Sequence, residues 1–421
     1  MVYVISKTGQ PLMPTEDHRK VRLLLKSKLA KVVQRTPFTI QLLHTTHVYK
    51  QHITLGVDAG SKIIGLSATT STKELFAEEV AIRNDIVELL STRREFRRAR
   101  RNRTTRYRKP RFLNRVKTKK KGWLAPSIHA KIDYHLKVID RVYQILPITK
   151  LIVETAEFDT QKIQNPYIEG KEYQQGPQLG FWNVREYVFY RDNHECQYCH
   201  GKSKDKVLNV HHIVTRKTGS NSPNNLITLC ETCHHKYHNG EITLKTFKPK
   251  SLKDAAFMST MRWYLYNILK DRYKNVSQTF GYITKNVRIS NNLPKEHCVD
   301  ARCISRNPLA IPSQILYQAK VVRRHNRQLH KATIEKGGYR KNNQAPKYVF
   351  GYQLFDKVYC KGKICFIFGR RTNGSFDVRY LNGTKISAGI SYKKIRLLEH
   401  RSTLLIDVIR REPSQYLKIP T

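Results

Sequence analysis

Two pairs of cysteines constrain this chain more than any other feature. The segment from residue 196 to residue 238 reads CQYCHGKSKDKVLNVHHIVTRKTGSNSPNNLITLCETCHHKYH. Its cysteines have the spacing C-x2-C-x30-C-x2-C, which suits one zinc ion held tetrahedrally by four thiolates. Four thiolates complete the zinc shell, so the predicted site is closed and structural. The predicted ligands are Cys196, Cys199, Cys230 and Cys233.

The histidines of this segment are then left for other chemistry. The run VHHI is predicted to be a strand, and CHHKYH begins a helix with His234 and His238 on one face. Two strands and a helix of this kind predict a ββα-metal arrangement, in which His211, His234 and His238 can hold one Mg²⁺-type ion. His212 would take the proton from the attacking water, and Asn225 would hold the His212 strand by a backbone hydrogen bond. The pattern leaves open which of His234 and His238 ligates the ion.

A purely structural zinc ribbon with surface histidines is the simpler interpretation. A ribbon does not require adjacent histidines, an Asn-Asn-Leu run and a C-H-x3-H helix together, so the combination favours a nuclease. The segment resembles the HNH nuclease family. His200 and His235 have no role in that pattern.

The charge of the chain indicates a polyanionic partner. Its 421 residues include 78 Lys or Arg and 32 Asp or Glu, which gives a formal net charge of +46. A globular chain this basic repels itself unless a polyanion is present, and nucleic acid is the predicted polyanion. A membrane surface is the rival, but no amphipathic helix with a clear apolar face carries the basic runs. No apolar run approaches the roughly 20 residues of a membrane helix, so we expect no membrane partner.

The cellular compartment is predicted from the thiols and from the first residues. The opening run MVYVISKTG has no long apolar core and does not resemble a signal peptide. Paired C-x-x-C motifs then indicate metal ligands before disulfides, in a reducing cytoplasm.

An arginine-rich tract occupies residues 93–121, with 16 Lys or Arg and a single acid, Glu95. A solvated or disordered tail is the simplest interpretation of such a run. Interleaved aromatic residues and the preference for arginine favour a helix lying along a nucleic-acid backbone, because the guanidinium fork binds phosphate and stacks on bases. The arginines expected to contact nucleic acid are Arg93, Arg94, Arg97, Arg98, Arg100, Arg101, Arg103, Arg106 and Arg108.

A second set of candidate catalytic residues is scattered along the chain. Asp58 ends the strand in LGVDAG, Glu154 ends the strand in LIVET, and His297 and Asp300 lie one helical turn apart in KEHCVD. Each fragment is weak alone, because acids are common at strand ends. Three carboxylates that meet in a fold repel one another unless divalent cations bridge them, which is the two-metal design for phosphodiester cleavage. Glu157 and Asp159 are competitors for the role of Glu154 and lie past the strand.

The order of these pieces resembles the IscB family of transposon-encoded RNA-guided nucleases, relatives of the two-nuclease CRISPR effectors. The opening VYVISKTGQPLMP and the run PKEHCVDARCI carry the resemblance, which covers nearly the whole chain and is weakest after about residue 310. It implies a split RuvC-like, ribonuclease-H-type domain into which the arginine-rich helix and the HNH module are inserted. In the guided CRISPR relatives the position of His211 is often Asp.

The resemblance also implies cofactors and partners. A guide ωRNA would pair with one strand of target double-stranded DNA, while the protein reads backbone shape and a short adjacent motif. HNH would cut the guide-paired strand and the RuvC-like site the displaced strand. Asp58, Glu154 and Asp300 would hold two Mg²⁺ ions at the RuvC-like site. The HNH site would hold one Mg²⁺, and the four cysteines would hold one Zn²⁺. From the resemblance we expect a monomeric protein that acts within a ribonucleoprotein in the cytoplasm of a prokaryote. It would be associated with the nucleoid when it is bound to DNA.

The predicted fold class is α/β and multidomain. The expected helices include residues 17–34 and 251–273, and residues 276–289 are expected to be strand-like; the end of the chain has the texture of a small β-barrel. The expected divisions are a PLMP-type N-terminal domain (1–48), RuvC-like parts (49–82, 123–178 and 246–312), a bridge helix (83–122), the HNH nuclease (179–245) and a C-terminal β-rich domain that reads the target-adjacent motif (313–421).

Two other functions remain open from the sequence. An unguided HNH endonuclease of homing or restriction type would use the basic residues for DNA alone. A nucleic-acid-binding zinc protein with decayed active sites would cleave nothing. The intact Asp58, Glu154, Asp300 and His212 argue against the second, and the arginine-rich helix within a split domain argues against the first.

Overall fold

The protein is represented by a computed structural model that divides into two compact units. The first unit comprises residues 1–156 and 260–421, and the second comprises residues 157–259. The residues that the structure describes are 1–101, 124–155, 181, 183–214, 223–244, 253–325, 336–339 and 346–411. Arg103, Arg106 and Arg108, and the competitors Glu157 and Asp159, lie outside them.

Eight helices and seventeen strands are numbered here in chain order within the described residues. The helices are α1 His18–Lys26, α2 Ile86–Arg101, α3 Pro126–Ile145, α4 Val184–Arg191, α5 Glu231–His238, α6 Lys253–Arg272, α7 Gly281–Ser290 and α8 His297–Ile304. The strands are β1 Tyr3–Ile5, β2 Ala30–Gln34, β3 Thr39–Leu42, β4 Thr54–Asp58, β5 Ile63–Thr69, β6 Glu74–Ala81, β7 Lys150–Thr155, β8 Leu208–His212, β9 Leu226–Cys230, β10 Val276–Phe280, β11 Ile315–Val321, β12 Lys357–Cys360, β13 Lys363–Arg370, β14 Ser375–Arg379, β15 Lys385–Ser391, β16 Arg396–Glu399 and β17 Leu404–Arg410. None of the described helices has the length and hydropathy that a membrane crossing requires.

A seven-stranded mixed sheet forms the centre of the first unit, with the order β10-β7-β4-β5-β6-β11-β17. Strands β4, β5 and β6 form an antiparallel meander, and β7 and β10 extend it in parallel from β4. Strand β11 runs parallel to β6, and β17 is antiparallel to β11. The central strands are buried along nearly their whole length, as expected when elements cover both faces of a sheet.

Helix α8 lies directly on the two central strands of this sheet. The backbone carbonyl of His297 would be 2.0 Å from a Cβ added to Gly65 on β5. The carbonyl of Ala301 would be 2.0 Å from a Cβ added to Gly56 on β4. Because a side chain at either position would occupy the place of the helix backbone, the two glycines set the distance between α8 and the sheet.

Two smaller sheets complete the first unit. Strands β1, β3 and β2 pack with α1 around an N-terminal core that includes Val4 and Ile40. Strands β15, β14, β13, β12 and β16 form an antiparallel sheet over a core that includes Val358 and Phe376. This sheet matches the predicted β-rich texture, while barrel closure stays a prediction. Strands β11 and β17 belong to the large sheet, so the expected division at residue 313 does not coincide with a boundary of that sheet.

The second unit is built on one hairpin and two short helices. Strands β8 and β9 pair antiparallel, with His212 opposite Leu226, and α4 and α5 pack against them. Its core joins buried Ile227 and Leu229 to three of the four cysteines. The two strands and α5 form the ββα arrangement that the sequence predicts.

Two sequence-based assignments of secondary structure were wrong. The helix expected over residues 17–34 ends at Lys26, because Ser27 caps it and Lys28 has a left-handed φ of 56°. The β-branched residues that follow form β2. The strand expected over residues 276–289 ends at Phe280, where Gly281 begins α7.

We expect Gly65→Ala to lower the free energy of unfolding by about 3 kcal/mol or more, because its methyl group meets backbone rather than a movable side chain. Gly389→Ala is the matched control on β15, where a Cβ would lie 3.1 Å from the Ser375 hydroxyl, and the change should stay within about 1 kcal/mol. Denaturant unfolding of both variants measures the difference. Equal stabilities would mean that α8 is not seated as described.

Candidate functional site

The four predicted zinc ligands lie together in the second unit. Cys196, Cys199, Cys230 and Cys233 are free cysteines, and their sulfur atoms all lie within 4.8 Å of one another. The Sγ atoms of Cys199 and Cys230 are 3.7 Å apart. Tetrahedral zinc with Zn–S bonds of about 2.3 Å requires sulfurs about 3.8 Å apart. The cluster could therefore hold zinc with little rearrangement.

The thiols of the cluster differ in pKa, because local hydrogen bonds act on them differently. Burial raises the pKa of Cys199, but hydrogen bonds from Ser203, Cys196 and Cys230 outweigh burial and bring that pKa to about 6. Burial raises the pKa of Cys233 well above the usual range. Zinc binds thiolates, so binding to this cluster must release protons from the buried thiols.

Three histidines converge beside the cysteine cluster. His211 comes from β8, while His234 and His238 lie one turn apart on α5. One ring nitrogen of each lies within 4.8 Å of the others, and the Nε2 atoms of His234 and His238 are 3.3 Å apart. The Nε2 atom of His211 is buried without a hydrogen-bond partner. A buried, orphaned imidazole nitrogen that faces two others suits a metal ligand.

The charge state of these histidines also suits metal binding. Burial and the neighbouring His234 and His238 lower the pKa of His211 to about 4. Burial and His238 also lower the pKa of His234. Metal ligation requires neutral imidazole, so at neutral pH at least these two rings are already in the form that binds an ion.

His212 and Asn225 lie at the end of the same hairpin. Successive strand residues point to opposite faces, so His212 does not share the face of His211. Asn225 is 1% exposed, and its side-chain oxygen accepts from the Val214 N–H at 2.9 Å while its amide donates to the Val214 carbonyl at 2.8 Å. Its own carbonyl accepts from the Ile213 N–H at 2.9 Å. Asn225 thus fixes the backbone directly after His212, through Ile213 and Val214.

Sequence reasoning missed the ion pair that holds α4 on the hairpin. The Arg191 Nε lies 2.7 Å from Asp192 Oδ1, and its guanidinium also donates to the carbonyls of Pro223 and Leu226. Asp192 Oδ2 accepts from the Thr228 N–H at 2.9 Å. The adjacent Arg and Asp in the sequence gave no indication of these long-range partners, which brace the turn that carries Asn225.

In the first unit, Asp58 and Glu154 meet at the same edge of the large sheet. Strands β4 and β7 are parallel, and Val57 pairs with Val153. The next residue on each strand is therefore an acid, at neighbouring carboxyl ends. Both are nearly buried, at 7% and 9% exposure.

Helix α8 adds the other two predicted residues to this edge. The Nδ1 atom of His297 lies 2.6 Å from Asp58 Oδ2. Asp300 lies one turn further along α8 and is close enough for the Asp58 charge to raise its pKa, after the larger effect of burial. All four residues singled out from three distant fragments are thus brought together.

Two arginines that the sequence analysis missed hold the acids of this site, the buried Arg262 and the partly buried Arg288. Arg262 on α6 donates from Nε to the Ala59 carbonyl at 2.9 Å, and its Nη2 lies 3.3 Å from Glu154 Oε1. Arg288 on α7 lies 2.9 Å from Asp300. Arg262 is the single charged residue in the apolar run from residue 255 to residue 269, and that isolation is the signal that could have identified it.

The electrostatics of this site favour added positive charge. Burial raises the pKa of Glu154 to about 7, and the Asp58 charge adds to the increase while Arg262 opposes it. The hydrogen bond to Asp58 raises the pKa of His297. Buried carboxylates with raised pKa values gain stability from divalent cations. Within the described residues, the groups whose ligand atoms all lie within 4.8 Å are the cysteines and the histidine trio, so these acids stand further apart than a one-ion cage.

The arginine-rich segment begins as the predicted helix. In α2, the side chains of Arg93, Arg94, Arg97 and Arg98 are exposed. Arg100 and Arg101 lie on the last turn of α2, where the structure describes the backbone alone. The exposed guanidinium groups of the described part form a strongly cationic surface.

Comparisons with known proteins give two family matches. Residues 2–176 match the RRXRR protein family, and residues 196–240 match the HNH endonuclease family. The HNH match contains the cysteine cluster and the histidine trio, and it confirms a nuclease domain. No curated protein matches the chain.

Solved structures of Streptococcus thermophilus Cas9 are also similar to part of the chain. The complex with an AGGA PAM is 13% identical, with a TM-score of 0.29, over 44% of this chain and 26% of that one. The complex with an AGAA PAM is 13% identical, with a TM-score of 0.28, over 43% and 26%. The chain thus matches about a quarter of the length of these proteins.

We expect Cys199→Ser to remove zinc and unfold the second unit, because structural zinc contributes its binding free energy directly to folding. Cys365→Ser is the control outside the cluster, since Cys365 is a free cysteine buried in the C-terminal sheet, whereas Cys199 is half-buried. Elemental analysis should give about one zinc per chain for the control and none for Cys199→Ser, and limited proteolysis should cut only the latter within residues 183–244. Cleavage-active protein without zinc would contradict the assignment.

Proposed function

We propose that this IscB-like chain, with its RRXRR segment and HNH endonuclease domain, is an RNA-guided DNA endonuclease that cuts both strands. The observation that carries the proposal is the presence of two separate clusters of candidate catalytic residues in two units of one chain. The histidine trio and His212 lie in one unit, and the Asp58, Glu154, His297 and Asp300 set lies in the other. Two sites suit two strands.

The large sheet supports a RuvC-like, ribonuclease-H-type domain. Its meander of three antiparallel strands continues into two parallel strands, and acids end the adjacent central strands β4 and β7. Helix α8 brings a further acid and a histidine to the same edge. The divisions given under Sequence analysis, with RuvC-like parts at residues 49–82, 123–178 and 246–312, are part of this proposal.

At the RuvC-like site, Asp58, Glu154 and Asp300 would hold two Mg²⁺ ions, which supply Lewis acidity to the attacking and leaving oxygens. The side chains of the protein would orient the carboxylate ligands and exchange protons with the reacting groups. If the Nδ1–H of His297 donates to Asp58, then Nε2 is the nitrogen that can receive a proton from the attacking water. Arg262 keeps the carboxylate of Glu154 in place beside Ala59.

At the HNH site, His211, His234 and His238 would hold one Mg²⁺, which stabilises the leaving 3′ oxygen. His212 would receive the proton of the nucleophilic water. Asn225 supports this role because it fixes the backbone at Ile213 and Val214 and thereby the direction of the preceding His212 side chain. Asn225 acts through the backbone, so it is a positioning residue.

Guidance by an ωRNA is supported by charge. A net charge of +46 and the exposed arginines of α2 would neutralise an RNA scaffold and an RNA–DNA duplex. In this proposal HNH cuts the guide-paired strand, the RuvC-like site cuts the displaced strand, and the C-terminal sheet reads a short motif beside the target. The protein acts as a monomer in a ribonucleoprotein in a prokaryotic cytoplasm.

The proposal predicts strand-specific nicking. The chain is co-expressed with the DNA that flanks its gene, the co-purified RNA is sequenced, and a plasmid bearing the complement of its guide is cleaved with Mg²⁺. His212→Ala should leave only the displaced strand cut, and Asp58→Ala only the guide-paired strand, each with a loss of at least about 100-fold at its own site. Strand-specific end labels report which strand is cut.

Lys26→Ala on the exposed end of α1 serves as a control and should cut both strands. Cutting without any RNA would support an unguided HNH endonuclease instead. RNA and DNA binding without cleavage by the unchanged chain would support a binding protein with decayed sites. If either single variant abolished both cuts, the two sites would not act separately.

A further inference from the structure

A cavity of about 640 Å³ lies within the first unit, and none of its lining residues is assigned to a nuclease site. Helix α3 forms one wall, and residues around β12, β13, β16 and β17 form the other. Its volume falls within the range of small-ligand pockets, which is roughly 300–1,000 Å³. None of the chemistry described above uses it.

One side of the cavity carries an excess of cations. Lys137 and Arg141 lie at positions i and i+4 on α3, so their like charges repel across one helical turn. Burial and the neighbouring Arg141 lower the pKa of Lys137. Lys137 donates to the hydroxyl of Thr403, and Arg401, which also lines the cavity, donates to the Arg324 carbonyl at 2.9 Å. Lys137 thus contacts a neutral oxygen, while the charge of Asp356 also acts on Arg401. An anion would relieve the repulsion between Lys137 and Arg141.

The cations of the lining outnumber its acids by five to three. The acids are Asp133, Asp140 and Glu399, and Asp133 is exposed. Asp140 is engaged by Arg272, at 3.0 Å, and by the hydroxyl of Tyr273. Glu399 accepts from the hydroxyl of Thr36 at 2.7 Å. Both carboxylates therefore already have partners at the edge of the cavity.

The unsatisfied N–H groups of Arg141 are a second and independent indication of an anion site. It pairs with Glu78 through Nη2, yet its Nε and Nη1 atoms are buried without a hydrogen-bond partner. Leaving a buried guanidinium N–H group without a hydrogen-bond partner costs about 1–3 kcal/mol. A bound anion beside Arg141 would give them acceptors.

The floor of the cavity is apolar and aromatic. Phe366 and Leu405 are buried there, with the partly buried Phe355 packed against them. The guanidinium of Arg401 lies 5.8 Å from the ring centroid of Phe355. A flat ring flanked by a guanidinium suits stacking by another planar group.

We propose that this cavity binds one nucleotide of a bound RNA strand, with its phosphate beside Lys137 and Arg141 and its base against Phe355. A phosphate alone would leave the aromatic floor unused, and an uncharged aromatic ligand would leave the cations uncompensated. The choice of an RNA strand rather than a free nucleotide rests on the proposed function. Such a pocket would hold one unstacked nucleotide of the guide RNA and thereby fix its register on the protein.

The test uses the full chain, freed of nucleic acid at high salt, and three probes: AMP, adenosine and inorganic phosphate. Isothermal titration should give an affinity for AMP at least about tenfold above that for either fragment, because only AMP reaches both halves of the cavity. A decaadenylate RNA should then displace AMP. Failure of AMP to bind would overturn the proposal, and AMP binding that the RNA does not displace would overturn the assignment to a strand.

Matched variants localise the binding. Lys137→Ala should weaken AMP binding roughly tenfold or more, because it removes a charged hydrogen bond. Lys393→Ala, an exposed lysine outside the cavity in the same unit, should leave the affinity unchanged. Phe355→Leu keeps an apolar floor but removes the ring, and it should weaken AMP while leaving phosphate binding unchanged. Equal effects of the two lysine variants would place AMP elsewhere.

Failure of this inference and failure of the proposed nuclease function give different results. Mg²⁺-dependent plasmid cleavage by the unchanged chain with its co-purified RNA reports the nuclease sites and needs no AMP. AMP binding reports the cavity and needs no cleavage.

Discussion

The close packing of α8 on β4 and β5 is the contact on which the cluster of Asp58, His297 and Asp300 depends. Gly65 pairs with Asp58 across the ladder, and the backbone of His297 occupies the place where a Gly65 side chain would be. This single close approach puts the His297 ring within hydrogen-bond distance of the Asp58 carboxylate. Asp300 follows one turn later on the same helix, so the glycines position two candidate catalytic groups at once.

The candidate metal sites of the two units would bind ions by different physical means. In the second unit, burial and mutual repulsion keep His211 and His234 neutral, so neutral nitrogens are available to an ion. In the first unit, burial and mutual repulsion among carboxylates raise the pKa of Glu154 and Asp300, and Arg262 and Arg288 offset part of the charge. An ion bound by the histidines would add positive charge beside neutral rings. Ions bound by the acids would have to compete with protons and with the two arginines for the carboxylate oxygens.

Much of the fold and both candidate sites could be predicted from local pattern. The cysteine spacing, the ββα order and the strand-end acids are all short-range signals, and the structure brings each set together. What could not be predicted depends on long-range packing. Arg262 pairs with Glu154 although more than a hundred residues separate them in the sequence. Strand β17 joins the large sheet although the whole C-terminal sheet separates it from β11 in the sequence. The helix expected over residues 17–34 failed because a left-handed Lys28 ends it locally.

The central claim is that one chain holds two separate catalytic metal sites and a structural zinc site. The most direct measurement is anomalous diffraction from crystals grown with Mn²⁺ in place of Mg²⁺, collected at the manganese and zinc edges. We expect zinc at the four cysteines, one manganese at His211, His234 and His238, and two at Asp58, Glu154 and Asp300. Zinc in the histidine trio with no metal at the cysteines, or manganese absent from the acids, would contradict it.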